Sequence, residues 1–190
     1  MPAQLFHFSD DAGIAQFVPR TLRVPAKRAP GADWLNGALV WAIDHWHQPM
    51  YLFPRDCPRI LLWRTARTTA EDAQRWLGDG AARIVAHVEQ RWLERVQMSS
   101  IERYELPGES FENLDDAGMW ISRSTVVPLR RETITDLPAE LRAQNVELRA
   151  LESLAPLVNA WKSTLHVSGI RLRNAVAWPG APLTDRRGNT

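Results

Sequence analysis

Two short, unbroken apolar runs, ALVWAI at 38–43 and the ILLW that follows Arg59 in RILLW at 59–63, constrain this chain most. Runs of that length with no polar interruption suit strands covered on both faces. Both fall far short of the roughly 20 residues that span a bilayer. The chain must therefore build a sheet interior and cover it. Residues 4–9 read as a further short strand. IERYELP (101–107), MWISRSTVVP (119–128) and LRRETITDL (129–137) alternate or run apolar, as strands do. VELRAL is another strand candidate, and GIRLRNAVAW alternates in a way that puts Arg171 and Arg173 on one strand face.

Helical period is found between these strands. TTAEDAQRWL carries a threonine cap with acidic residues in its first turn. AARIVAHVEQRWLERV predicts one helix, with Ile84, Val88, Trp92 and Val96 on one face and Val85 and Leu93 widening it. PAELRAQN opens on a proline and closes near Asn145, and LAPLVNAW is a further helix candidate. DDAGIAQFVPR reads as a turn entering a brief helix, with Ile14 and Phe17 at i, i+3. Asp44 is placed to cap a short helix across HWHQPMYLF, with Pro49 in its first turns. No internal repeat is evident, so the pattern predicts a single α+β domain over residues 1–178. RVPAKRAPGADW (23–34) has no period and is long enough for a binding loop or lid, and residues 179–190 form a frayed tail.

Composition narrows the function. With 45% hydrophobic and 24% charged residues over 190 positions, the chain is globular and large enough to bury a core. A net charge of +1 argues against a strongly basic nucleic-acid binder. The basic residues are all arginine except Lys27 and Lys162; guanidinium forks suit phosphates and carboxylates, although a GC-rich genome gives the same bias. Cys57 stands alone between two prolines, which excludes an intrachain disulfide and suits a small buried thiol. No basic stretch followed by an apolar one opens the chain, so a cytoplasmic protein without a membrane anchor is expected. Nine tryptophans supply core volume and flat faces for stacking.

Several chemistries find no motif. GxSxG, GxGxxG and GxxxxGK[ST] are absent, which removes the nucleophile-elbow, Rossmann and P-loop readings. Asp44, His45 and His47 are metal-ligand types, but on a helix the two rings diverge and a third ligand, His7 or His166, would have to come from elsewhere. A metal-assisted hydrolase is the reading that this trio would serve; helix capping by Asp44 is the alternative. Around His166, the hydroxyls of Ser163, Thr164 and Ser168 with Arg171 and Arg173 suit either an anion site or a solvated strand face.

Three stretches, in order, resemble the ADP-ribosyltransferase-like folds. LFHFSDDAGIAQFVP resembles their first motif, a strand carrying a histidine. LVWAIDHWHQPMYLF resembles the second, a strand with one aromatic and another about ten positions on. YELPGESFENLDDAGMWISRSTVVPLRRETITDLPAEL resembles the closing strands of that group. The resemblance implies a split mixed sheet with flanking helices and a pocket for NAD or a related nucleotide. His7 would meet a ribose hydroxyl, Phe8 would supply backbone to the nicotinamide amide, and Trp41 and Tyr51, with Phe53 as substitute, would flank the ring. Arg20 or Arg55 would hold the pyrophosphate. The catalytic set implied is His7, Tyr51 and an acidic residue, with the acceptor of the ADP-ribose unassigned. At the position where such transferases carry a glutamate this chain has Met119; Asp115 or Asp116 just upstream are the substitutes, Asp116 completing the implied set, with Glu105 and Glu109 as more remote candidates. A thioether carries no charge, so Met119 equally favours a non-catalytic nucleotide-binding or interaction module on the same fold. The full chain also resembles an uncharacterised bacterial family with VWAIDxxHxPxYxFPRDCPR and STLHxSGIRLRNA.

Overall fold

A computed structural model describes residues 4–22, 25 and 28–179. Arg23, Val24, Ala26 and Lys27 of the predicted lid, and 180–190 of the predicted tail, lie outside them. In chain order the strands are β1 (Leu5–Ser9), β2 (Val40–Asp44), β3 (Arg59–Trp63), β4 (Ile84–Glu89) and β5 (Ile101–Leu106). β6 (Glu112–Asn113), β7 (Met119–Ser122), β8 (Arg130–Ile134), β9 (Val146–Leu151) and β10 (His166–Ile170) follow. The α-helices are α1 (Ala70–Leu77), α2 (Gln90–Met98) and α3 (Leu137–Ala143). The α+β class holds.

Contacts group the described residues into two units, the first within 4–51 and 101–134, the second within 52–100 and 135–179. The first contains a six-stranded sheet in the order β6-β7-β2-β1-β5-β8, antiparallel at every pair. Its core collects Leu5, Val40, Ala42, Tyr104 and Leu106, with Phe17 and Val126 brought in by an isolated bridge. The Tyr104 hydroxyl donates to the Asp11 carbonyl at 2.6 Å and accepts from the Ile14 N–H at 3.3 Å, so one buried phenol fixes the turn after β1. Tyr104→Phe is expected to cost about 1–2 kcal/mol, since it strands both turn groups; chemical denaturation would read the loss.

The second unit contains a four-stranded sheet, β10-β3-β4-β9, in which only β4 and β9 run parallel. Every residue of β3 and β4 is buried, which explains why RILLW shows no alternation. Thr69 caps α1 by accepting from the Asp72 N–H at 3.2 Å, and Asp136 caps α3 by accepting from the Ala139 N–H at 2.8 Å, with Pro138 in the first turn. Both helix starts are where their caps place them.

Five predicted elements differ. AARIVAHVEQRWLERV is not one helix: Ile84–Glu89 is the second central strand and only Gln90–Met98 is helical. The β-branched Ile84, Val85 and Val88 happen to fit a 3.6-residue period while being covered on both faces. Ile14 and Phe17 are not on a helix, because Phe17 exchanges two backbone bonds with Val126 instead. HWHQPMYLF makes a turn and a 3₁₀ helix at Gln48–Tyr51, and LAPLVNAW is likewise 3₁₀, over Ala155–Lys162. β10 ends at Ile170, and Arg171 takes φ +57°, so Arg171 and Arg173 share no strand face.

Candidate functional site

The site begins where a ladder stops. β1 pairs with β5 along its whole length, but with β2 only at Leu5↔Asp44 and Phe6↔Ile43. Which backbone groups this leaves over follows from alternation. The Glu105 carbonyl accepts from the Leu129 N–H at 2.8 Å, so its main chain faces β8. Its partner Phe6 therefore turns N–H and C=O toward β2, and Phe8, two residues on, does the same. On the other side, the Asp44 N–H donates to the Gly118 carbonyl at 2.9 Å, so Ile43 and Trp41 face β1. Ile43 meets Phe6. The next pair, Phe8 and Trp41, lies beyond the ladder's end.

His7 fills part of that gap. Its Nδ1 lies 2.8 Å from the Trp41 carbonyl, and because a carbonyl only accepts, Nδ1 carries the hydrogen. In the neutral ring Nε2 is then the acceptor nitrogen. The imidazole packs on Phe17 with centroids 4.6 Å apart.

Around this opening is a hollow of about 70 Å³. Phe6, His7 and Phe8 line it from β1, Trp41, Ala42 and Ile43 from β2, with Tyr51 and Met119 completing the wall. The Phe8 and Tyr51 rings are nearly parallel, 15° between planes and 6.2 Å between centroids. The Tyr51 hydroxyl donates to the Met119 sulfur at 3.6 Å. Two guanidinium groups stand over lining rings: Arg28 is 5.6 Å from the centroid of Trp41, and Arg103 is 5.5 Å from that of Phe6. Arg103 also bonds Gln48 Oε1 at 3.0 Å and pairs with Glu132 at 2.7 Å.

β2 ends, one residue past the lining Ile43, in an acid–imidazole pair. His47 donates to Asp44 Oδ1 from its Nδ1 at 2.9 Å and from its backbone N–H at 2.8 Å. Partial burial works against ionisation of Asp44, but the His47 bonds outweigh it and hold the carboxyl below its ordinary range. Gly118, at φ +71°, passes so close that a Cβ there would lie 2.2 Å from His47 Nδ1 and 2.6 Å from Asp44 Oδ2. Among the described residues, no group of three or more His, Cys, Asp or Glu side chains could hold a metal ion.

The structure thus brings His7, Phe8, Trp41 and Tyr51 together and adds Met119 to them. It does not bring in Asp116, whose carbonyl accepts from the Met119 N–H at 2.9 Å while its side chain is outside the lining. Arg20 is exposed and bridges Leu39 by two backbone bonds of 3.2 Å. Arg55 is exposed in the second unit, where its carbonyl accepts from Arg171 Nε at 3.1 Å. Phe53 is also in the second unit, buried beneath Arg59. Sequence reasoning singled out neither Arg28 nor Arg103, whose guanidinium groups stand over the lining rings of Trp41 and Phe6.

Cys57 is fully buried, and burial pushes its thiol up to about 12. The native protein is expected to resist alkylation by iodoacetamide at pH 8 and to react once unfolded, as mass spectrometry would show.

These observations define an α+β protein whose first unit has an aromatic-walled hollow at the end of the β1–β2 ladder. The chain belongs to DUF6886, a family of unknown function, whose family model matches residues 6–175. No curated protein and no solved structure matches it. Among the described residues, no helix is long and apolar enough to cross a membrane.

Proposed function

We propose that this chain binds NAD or a related nucleotide by its nicotinamide end, at the end of the β1–β2 ladder, and does not cleave it. The observation that carries the reading is the Phe8 backbone, whose N–H and C=O face the opening together. One donor and one acceptor side by side match a primary carboxamide, which offers one of each in return. Phe8, Trp41 and Tyr51 provide the flat apolar walls that a pyridine ring needs. The His7 imidazole, held by its bond to the Trp41 carbonyl, lines the same hollow beside these walls. The hollow of about 70 Å³ is small beside the roughly 300 Å³ or more of pockets that enclose drug-sized ligands, so only the ring end would enter it. The nucleotide's remainder would lie outside it.

The lining argues against turnover. Breaking the nicotinamide–ribose bond develops positive charge on the sugar, and none of the eight lining residues is a carboxylate. Losing one preorganised charged partner costs about 3 kcal/mol, roughly a hundredfold in rate. A thioether does not replace it.

Thermal-shift titrations with NAD, nicotinamide and nicotinic acid, together with an assay for released nicotinamide, test the reading. NAD and nicotinamide should stabilise the protein, nicotinic acid should not, because its carboxylate opposes the Phe8 carbonyl, and no nicotinamide should be released. Stabilisation by none of the three removes the binding claim. Release at high protein concentration removes the non-catalytic one and favours transfer of ADP-ribose to water or an acceptor.

A further inference from the structure

We infer that His7 is a positioning residue of the hollow: its imidazole takes the Trp41 carbonyl out of the β1–β2 ladder and so keeps the two strands from closing where a ligand would dock. The structural half of this stands on strand pairing alone. Its consequence for ligands rests on the nicotinamide reading above.

The pairing shows what the imidazole displaces. Phe6 and Ile43 turn their main-chain groups toward each other, so the next bonds of an unbroken ladder would join Phe8 and Trp41. The Phe8 N–H would donate to the Trp41 carbonyl, and the Trp41 N–H to the Phe8 carbonyl. Pairing ends before them, yet β1 goes on pairing with β5 as far as Ser9, and β2 pairs with β7 from Val40. Neither strand stops there; only their contact with each other does. The Trp41 carbonyl accepts from His7 Nδ1 at 2.8 Å instead. Residue type gives no other reason for the break, since LFHFS and VWAID hold neither proline nor glycine and their aromatic residues favour strands.

The imidazole is braced where it is. It packs on Phe17 with centroids 4.6 Å apart, and Phe17 is fixed by two backbone bonds to Val126 of 2.8 and 2.9 Å. Phe17 in turn meets the buried Tyr104 ring edge-on at 5.3 Å. Swinging clear of the Trp41 carbonyl would cost His7 this contact as well as its hydrogen bond. Removing the donor changes the balance. A carbonyl left without its partner in part-buried surroundings is costly, and strand pairing offers it the Phe8 N–H. Making that bond draws the strands to the ordinary spacing of about 4.8 Å. It also engages, within the sheet, the donor and acceptor that a carboxamide would use.

Two variants of the full chain test this by amide-resolved hydrogen exchange and by titration with nicotinamide. His7→Leu keeps an apolar side chain for Phe17 and removes the donor. His7→Asn returns a donor at the same number of bonds from the backbone. In His7→Leu the Phe8 amide should exchange about tenfold more slowly and nicotinamide should bind about tenfold more weakly, each the worth of one hydrogen bond. His7→Asn should bring the exchange rate back toward that of the unaltered protein and recover most of the affinity. A role in packing alone would instead give faster exchange in His7→Leu and no recovery in His7→Asn, and either result overturns the inference. Nitrogen NMR of the labelled imidazole in the unaltered protein is independent of how any variant folds: hydrogen on Nδ1 is expected, and a bare Nδ1 also overturns it. If the unaltered protein binds no nicotinamide, the nicotinamide reading falls, while the exchange rates and the imidazole signal still decide the role of His7.

Discussion

Gly118→Ala is expected to lower the stability of the first unit by about 3 kcal/mol, which for a chain of this size corresponds to a drop of roughly 6–12 °C in Tm. Two costs combine. Residue 118 holds φ +71°, where an L side chain clashes with its own carbonyl at a cost of about 1–2 kcal/mol. The new methyl would also lie 2.2 Å from His47 Nδ1 and 2.6 Å from Asp44 Oδ2, so the pair must separate or the β2–β7 ladder must shift. Asp115 and Ala117 also take positive φ, 51° and 47°, which leaves the loop little freedom to absorb the displacement. Differential scanning calorimetry reads the effect. A Tm within 2 °C of the unaltered protein would mean that the Asp44–His47 pair does not pack against this loop.

A second large effect concerns pH. His87 lies on β4 with 4% of its surface exposed, and its Nδ1 has no partner. Burial, reinforced by the Arg149 guanidinium, pushes its imidazole down from 6.5 to about 4, against weaker support for the charged form from the Ile60 backbone and Glu147. Between those values the unfolded chain binds the proton and the folded chain does not. Stability therefore rises with pH across this window and is lost progressively as pH falls from 6.5 toward 4. At about 1.4 kcal/mol per decade, the loss attributable to His87 is roughly 3 kcal/mol. Urea unfolding at pH 4.5, 5.5 and 6.5 should show this slope, and His87→Leu, neutral throughout, should flatten it. An unchanged slope in His87→Leu would place the acid sensitivity elsewhere.

The legible parts of the fold are those where local chemistry and tertiary placement agree. RILLW is a strand to the residue, Thr69 caps α1, and Pro138 stands in the first turn of α3, because an apolar run, a capping side chain and a first-turn proline each have one good structural use. IVAHVE misled for a physical reason: a strand buried on both faces has no period of its own, so chance helical spacing with Trp92 and Val96 went uncontested. Its β-branched residues were the available signal. In the site, His7, Trp41 and Tyr51 were brought together by motif order, whereas the reason for the opening was invisible. That reason is a ladder ending after Phe6↔Ile43, which only the pairing reveals. The arginines fared worst, since Arg20, Arg28, Arg55 and Arg103 are equivalent as letters and only the fold stands Arg28 and Arg103 over lining rings.

The reading turns on whether a carboxamide docks on bare strand backbone, and amide-resolved NMR can watch that backbone directly. With nitrogen-labelled protein titrated by nicotinamide, the Phe8 and Trp41 amide signals should move most and saturate together, while amides of β3 and β4 stay in place. Saturating shifts that leave Phe8 and Trp41 unmoved, or no shifts at millimolar nicotinamide, would contradict the assignment of this hollow as a nicotinamide site.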